Sequence, residues 1–225
     1  MVIDNINFSI QSVGYHETKE WLLHKHYAHR IPSISYAFGL YSDNVLVGIC
    51  TFGIPASPSL VNGAFGGQYV DIFYELNRLV VNENLPRNAL SFFVGGCLRM
   101  LPSPLIVVSY SDTSMHHHGY IYQATNFIYT GLSSAHSEYK LADIDNKHSR
   151  HLFDLYGGIN SAKEQGIDME VGQRARKHRY FYFIGNKRER KKMLKSLKYQ
   201  VMPYPKGNNE RYDASYQPTV QLTLF

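Results

Sequence analysis

The sequence predicts a mixed α/β (α+β) protein with a largely antiparallel central sheet flanked by helices. Three observations predict it. Strand-like runs recur between helical segments in the order β-α-β-β-β-α-β-α-β. One helix, Ala89 to about Leu101, is apolar on nearly every face, as a helix buried against a sheet must be. The run Leu105–Tyr110 (LIVVSY) is continuously apolar, the pattern of a central strand covered on both faces. With 225 residues, 44% of them hydrophobic, the chain has ample material for a core.

The elements follow in order. Residues 6–13 (INFSIQSV) alternate and read as a strand. His16 to His26 reads as a helix, ended near Pro32. Tyr36–Tyr41 and Val45–Phe52 are strands joined by the short loop Ser42-Asp43-Asn44. Residues 53–69 are rich in Gly, Pro and Ser and read as a loop. Val70–Val81 is a strand, and the NENLPRN turn opens the buried helix with Asn88 as its expected cap. Gly95 and Gly96 inside that helix imply close packing against a sheet. Gly119–Phe127 is a helix and Ile128–Thr130 opens a strand. Residues 133–172 read as polar and irregular, with a short helix at 148–156. Tyr180–Ile184 is strand-like, and Lys187–Tyr199 is a basic helix with Met193, Leu194 and Leu197 as its apolar stripe. One domain is expected over 1–206, with a basic helical region at about 174–199 and an extended or disordered tail over 207–225.

Charge is distributed unevenly. Eleven of the 23 lysines and arginines lie between Arg174 and Lys198, with Glu189 as the single acid there; the rest of the chain carries an acidic excess. A local basic patch is the footprint of a polyanion binder, and also that of a solvated lysine-rich helix. Cys50 and Cys97 sit in apolar runs and read as small buried hydrophobes in a reducing compartment. No Cys-x-x-Cys pattern points to a structural zinc. No stretch approaches membrane-spanning length, so the expected location is the cytoplasm.

Between Tyr74 and Gly131 polar residues gather where apolar elements meet: Arg78, Asn88, Ser91, Asp112, His118, Tyr122 and Asn126. That arrangement suggests a site. Asp112 follows a buried strand, where it serves either as a proton acceptor or metal ligand, or as the cap of the next turn. Tyr122 is either a general acid or a core tyrosine. His26, with Tyr27 after it, is either an imidazole ligand or a dipole-favoured helix end. Of the run His116-His117-His118, adjacent side chains point apart, and His118 is the best candidate ligand. Arg78 suits a phosphate or carboxylate. Gln123 and Asn126 either offer paired amide hydrogen bonds to a ligand or tie down their helix.

The element order, a hairpin, a strand, a turn opening a buried helix, a strand and a helix, resembles the GNAT acetyltransferase fold. There the turn before the buried helix binds a pyrophosphate; here that turn, LPRNALS, lacks the paired glycines usual in the fold. More closely, the chain resembles the Mom family of bacteriophage DNA-modification proteins. The matching pieces are HY at 26–27, ELNRL at 75–79, RNALS at 87–91, SYSD at 109–112, HGYIYQATNFIYTG at 118–131, KHRYFYF at 177–183 and PYPK at 203–206. It departs from the family at SYSD, where SYAD is more usual, and in the extra histidines after it.

The resemblance implies a GNAT-like fold and conversion of adenine in double-stranded DNA to N6-(methylcarbamoyl)adenine, which protects DNA from restriction nucleases. It implies catalytic roles for His26, Tyr27, Asp112 and Tyr122, and a donor pocket at Arg78, Arg87, Asn88 and Ser91. The donor is acetyl-CoA or another activated acyl or glycyl compound. Iron is implied as well, on His26, Asp112 and His118. Arg174, Arg176, Lys177, Arg179, Lys187, Arg188 and Lys191 are expected to hold phosphates, and Tyr36, Phe65, Tyr69 and Tyr129 to line a pocket for an extruded base. The competing functions are an ordinary small-molecule or protein N-acetyltransferase, and a non-catalytic DNA-binding protein.

Overall fold

A computed structural model of the chain describes residues 1–141 and 150–208. An eight-stranded sheet runs in the order β1-β2-β3-β4-β5-β6-β10-β7. Its strands are β1 (Val2–Ile3), β2 (Ile6–Ser12), β3 (Tyr36–Ser42), β4 (Val45–Gly53), β5 (Phe73–Val81), β6 (Leu105–Asp112), β7 (Ile128–Leu132) and β10 (Lys177–Ile184). Pairings among these strands are antiparallel except β5 with β6, which run parallel. A parallel pair needs a crossover, and α3 (Ala89–Met100) provides it.

Alternation sets the two faces of the sheet. On one, α3 and α4 (Tyr120–Ala124) cover Phe38, Leu76, Val107 and Tyr180. On the other, α2 (Pro58–Phe65) and α7 (Lys187–Ser196) bring Val61, Phe65 and Met193 onto Phe73, Ile106, Val108, Phe181 and Phe183. Burying each of these phenylalanines stabilises the fold by about 1.5–3 kcal/mol. Gly96 lets α3 lie on β2, since a Cβ there would collide with Ile10. Cys50 on β4 and Cys97 on α3 are fully buried and their thiols hydrogen-bond to each other, with burial pushing the Cys50 thiol up.

Several expected elements differ. The loop at 53–69 contains α2, started by Pro58 and ended by Gly66 at φ +65°. Val70–Ile72 is a 3₁₀ turn before β5 begins. The irregular stretch contains β8 (His136–Leu141) and β9 (Met169–Arg174), a separate two-stranded sheet. With α5 (Arg150–Tyr156) and α6 (Ile159–Glu164) it closes over a small core of Leu141, Leu152 and Ala162. The start of the helix expected at 148–156 lies outside the described residues, as does the tail beyond residue 208. The basic region is helical only in α7; its first half is the end of β9 and the whole of β10, where the alternation of KHRYFYFI dictates a strand. Residues 202–207 form neither helix nor strand but are pinned: Met202 N donates to Tyr129 O (2.9 Å), and the Tyr204 hydroxyl to Phe127 O (2.6 Å).

Candidate active site

The site forms where two strands part. β5 and β6 stay in register from Phe73–Ile106 to Leu76–Ser109. Past that point β5 carries a bulge. Leu76 pairs with Phe52 and Arg78 with Thr51, so Asn77 is an extra residue. A bulge bends its strand, and here it turns β5 away from β6. Ser109 marks the fork: its Oγ donates to Leu76 O (2.9 Å), and its side chain is hydrogen-bonded with the Tyr122 phenol.

Tyr122 reaches the fork from α4. Gly119 precedes that helix at φ +73°, and a Cβ there would stand 2.6 Å from the Tyr180 ring. Only glycine fits both the backbone and the gap. The Tyr180 hydroxyl donates to His118 O (2.5 Å). Gln123 Nε2 donates to His118 O, the Tyr180 hydroxyl and Pro205 O (3.1, 3.3 and 3.2 Å). Gln123 therefore ties the helix down, the second of the two roles expected of it, while Asn126 sits exposed at a left-handed turn.

His26 and Tyr27 arrive from the opposite side. Helix α1 (Tyr15–Glu20) continues as a π-helix over Trp21–Lys25. Trp21 and Leu22 anchor it against Ile49 and Val80. Lys25, 2% exposed, places its ammonium 2.8 and 2.9 Å from the Glu83 carboxylate oxygens. The chain then turns extended at His26, and the His26 and Tyr27 rings stack at 4.4 Å. His26 Nδ1 accepts from Ala28 N (3.1 Å), so the neutral ring carries its proton on Nε2.

The electrostatics tie these groups together. Burial, reinforced by Arg78, holds His26 well below the usual imidazole range. Burial and the nearby Asp112 charge push Tyr27 up to about 12. Burial raises Tyr122 strongly, the Ser109 bond offsetting part of it and Tyr27 adding to it. Burial opposes the charge on Asp112, but Lys177 and Ser114 outweigh it and hold the carboxyl below its ordinary value. Asp112 Oδ2 is 2.8 Å from Lys177 Nζ, and Oδ1 accepts from Ser114 N and Oγ (3.0 and 2.6 Å). Tyr27 thus lies within electrostatic reach of both Asp112 and Tyr122.

The chain matches the Mom protein family over residues 7–206. It belongs to that family. It is 29% identical over 199 residues to the methylcarbamoylase Mom of Escherichia phage Mu, covering 81% of this chain and 77% of that one. Among solved structures it is similar to a GNAT-family acetyltransferase from Bacillus cereus (10% identity, 79% of this chain and 98% of that one, TM-score 0.41). It is also similar to an acetyltransferase from Salmonella typhimurium solved with acetyl-CoA (7% identity, 80% and 95%, TM-score 0.45).

Within this Mom-family chain the expected metal set does not assemble. Among the described residues no three His, Cys, Asp or Glu side chains group to hold an ion. Both Asp112 oxygens are engaged, His26 Nδ1 accepts a backbone N–H, and the His118 ring packs against His178 at 5.6 Å. These donors do not fit iron. Of the expected donor-pocket residues, Arg87, Asn88 and Ser91 lie at the start of α3, whereas Arg78 lies on β5 at the bulge and donates to Asn77 O and Arg30 O (2.6 and 3.4 Å). Arg87 is exposed. Asn88 stands at the cap position with φ +74° and no side-chain cap bond, contrary to expectation, leaving first-turn N–H groups without a side-chain acceptor. Ser91 Oγ donates to Asn88 O (3.0 Å).

Of the expected phosphate contacts, Arg174, Arg176, Lys187, Arg188 and Lys191 are exposed. Lys177 is committed to Asp112. Arg179 is buried instead, bonded to Thr130 (3.0 and 3.1 Å) and stacked on Tyr199 at 3.4 Å. The four aromatics expected to line one base pocket are divided between the two faces of the sheet: Tyr36 and Tyr129 belong to the α3/α4 side, Phe65 and Tyr69 to the α2/α7 side. A cleft of about 320 Å³ lies elsewhere, beside the bulge, with Glu75, Asn77 and Arg78 of β5, the Arg30–Ser33 loop, and Ile54 and Ala56 around it. Sequence reasoning missed Ser109, Glu75 and the Lys25–Glu83 pair. A serine inside the apolar run LIVVSY was the one signal available; Lys25 and Glu83 lie 58 residues apart and gave none.

Proposed function

We propose that this chain is a DNA-modifying transferase that places a methylcarbamoyl group on N6 of adenine in duplex DNA, so protecting that DNA from restriction nucleases. The observation that carries the reading is that Tyr27 lies within electrostatic reach of both Tyr122, at the fork, and Asp112, at the end of β6, in a Mom-family chain. Tyr122 stays protonated at neutral pH and is available to donate a proton to a leaving group. His26 is neutral and presents Nε2–H. Asp112, fully bonded and held ionised, acts as a fixed anion that orients Lys177 and keeps Tyr27 protonated; its engaged oxygens make it a poor base. Arg87 and the first turn of α3 suit the phosphates of an acyl-CoA donor, whose chemistry is an activated acyl group. Exposed Arg174, Arg176 and the cations of α7 supply the phosphate grip that duplex DNA requires.

The test is nucleoside mass spectrometry of DNA from cells expressing the protein. Wild type yields adenine nucleoside carrying the added group, and Tyr122→Phe yields little. Unmodified deoxyadenosine throughout, with soluble protein present, overturns the proposal. Protein-dependent acetyl transfer to a free amine without DNA supports the acetyltransferase alternative instead.

A further inference from the structure

Past the end of β6 the sheet narrows to two strands. β10 and β6 last pair at Lys177–Asp112. Beyond that point β9 runs against β8 alone, from His136–Arg174 to Leu141–Met169, and no third strand joins them among the described residues. The root of this ribbon is braced beside Asp112. Ser133 N donates to Lys177 O (2.8 Å), Lys177 N to Ser133 Oγ (3.0 Å), Arg176 Nε to Ser133 O (2.6 Å) and Thr113 Oγ1 to Arg176 O (2.6 Å). At the far end Tyr139, Leu141 and Met169 pack into the small core with α5 and α6. Residues directly opposite one another share a face, and alternation makes the two faces differ. Ser137 and Gln173 stand on the face that α5 and α6 cover farther out. His136 and Arg174 stand on the other, and both are exposed. Arg174 lies within electrostatic reach of the Tyr110 phenol, which belongs to the α2/α7 side, where α7 carries its cations. From Arg174 to Lys177 the chain has three cations and no acid; Glu138 and Glu170 lie farther out along the ribbon.

We infer that the root of the β8–β9 ribbon enters the major groove of duplex DNA next to the modified adenine, with Arg174 reading the guanine edge of a neighbouring G·C pair. This rests on the DNA reading above and adds the element that selects sequence. Shape decides the groove: at about 12 Å across, the major groove admits a two-stranded ribbon, and the minor groove, at about 6 Å, is too narrow. It is also the groove in which the N6 amine lies. The open face must meet the bases, because α5 and α6 stand on the other. Arginine pairs through two N–H groups with guanine O6 and N7, the commonest specific contact in that groove. Reach sets the distance. Arg174 is three residues from Lys177, about 10 Å along a strand, and Lys177 holds Asp112. DNA advances about 3.4 Å per base pair, so the contacted pair lies within about three of the adenine. The acids farther out keep the rest of the ribbon away from the phosphates.

Single-molecule sequencing of DNA from cells expressing the protein tests it, since each modified adenine is read with its neighbours; nucleoside mass spectrometry gives the total. Wild type favours a G·C pair about tenfold at one fixed position within about three base pairs of the adenine, the size of one good base contact. Arg174→Ala removes that preference and leaves every other position unchanged. Lys191→Ala, which takes the same charge from α7, lowers modification evenly in all contexts and keeps the preference. Gln173→Ala, on the covered face, keeps it too. Duplexes with and without that pair, titrated with the purified variants, show the same ratios in binding. A wild-type preference in Arg174→Ala, a loss spread evenly over contexts in that variant, loss of the preference in Gln173→Ala, or no G·C preference in wild type overturns the assignment. Modified adenine from wild type alongside any of those results leaves the DNA reading standing and removes this one. Unmodified adenine from wild type removes both.

Discussion

Lys177 and Asp112 are direct cross-strand partners on β10 and β6, and their charged groups meet at 2.8 Å. The pair joins the basic strand to the end of the strand that carries the site. It also fixes the ionisation of Asp112, since burial alone would push that carboxyl up. A carboxyl held below its ordinary value, about 3.9, contributes stability that is present above that pH and lost as pH falls through the depressed folded value. Replacing Lys177 by Met removes the main lowering influence and leaves burial. Thermal unfolding between about pH 3 and 6 is therefore expected to show acid destabilisation starting at higher pH in Lys177→Met than in wild type. Coincident curves would mean that the pair does not set Asp112.

His26 has the opposite charge chemistry but the same sign. Its folded pKa is depressed, so the unfolded chain binds a proton first as pH drops below about 6.5. The stabilising contribution of the neutral buried ring is full above that value and declines toward pH 5, by up to about 1.4 kcal/mol per pH unit. His26→Asn keeps an acceptor near the Nδ1 position for Ala28 N and cannot titrate. Chemical denaturation at about pH 7 and pH 5 should show a smaller loss in the variant than in wild type. An equal loss assigns the acid sensitivity elsewhere.

The central strands and the buried helix were legible because their physics is local. LIVVSY has no polar residue before Ser109, and Gly96 announced a close approach that β2 makes. Helix α2 was hidden although its punctuation was present, Pro58 at the start and Gly66 after the end, because the glycine and serine content between them suppressed the helical pattern. The β8–β9 ribbon has much of its surface in solvent, so it lacks the clean apolar alternation that identifies a strand. Site chemistry was half legible. The motifs named Tyr122, Asp112 and His26, but Arg179 looked like one more surface cation. Its partners Thr130 and Tyr199 come from two other segments, and no local pattern predicts them.

The delivery of His26 and Tyr27 depends on Lys25, and the two ends of its ion pair are unequal. Lys25 is 2% exposed and Glu83 28%. Glu83→Ala leaves a nearly dry ammonium without that carboxylate, and a cost of about 3 kcal/mol is expected. Lys25→Met keeps the apolar stem and leaves Glu83 able to reach water, so the expected cost is about 1 kcal/mol. Equilibrium denaturation of both variants checks the order. A larger loss from Lys25→Met would show that the lysine's packing, and not its charge pairing, holds the π-helical turn.

Basic residues in the C-terminal third divide by burial into two kinds, and DNA binding should separate them. Lys187, Arg188 and Lys191 are exposed on α7, whose capping box at Asn186 and Glu189 fixes the start of the helix. Each phosphate that the protein no longer neutralises lowers the slope of log affinity against log salt by about 0.9. Changing all three to Gln is therefore expected to weaken duplex binding, flatten the salt slope by up to about 2–3, and leave the melting temperature nearly unchanged. Arg179→Met should do the reverse. It strands Thr130 and uncovers the Tyr199 ring, so stability falls by about 2 kcal/mol while the salt slope stays at the wild-type value. Titrations at several salt concentrations, with thermal melts of the same samples, measure both quantities. A wild-type slope in the triple variant would move the DNA-binding surface off α7 and onto the exposed Arg174 and Arg176 beside the site.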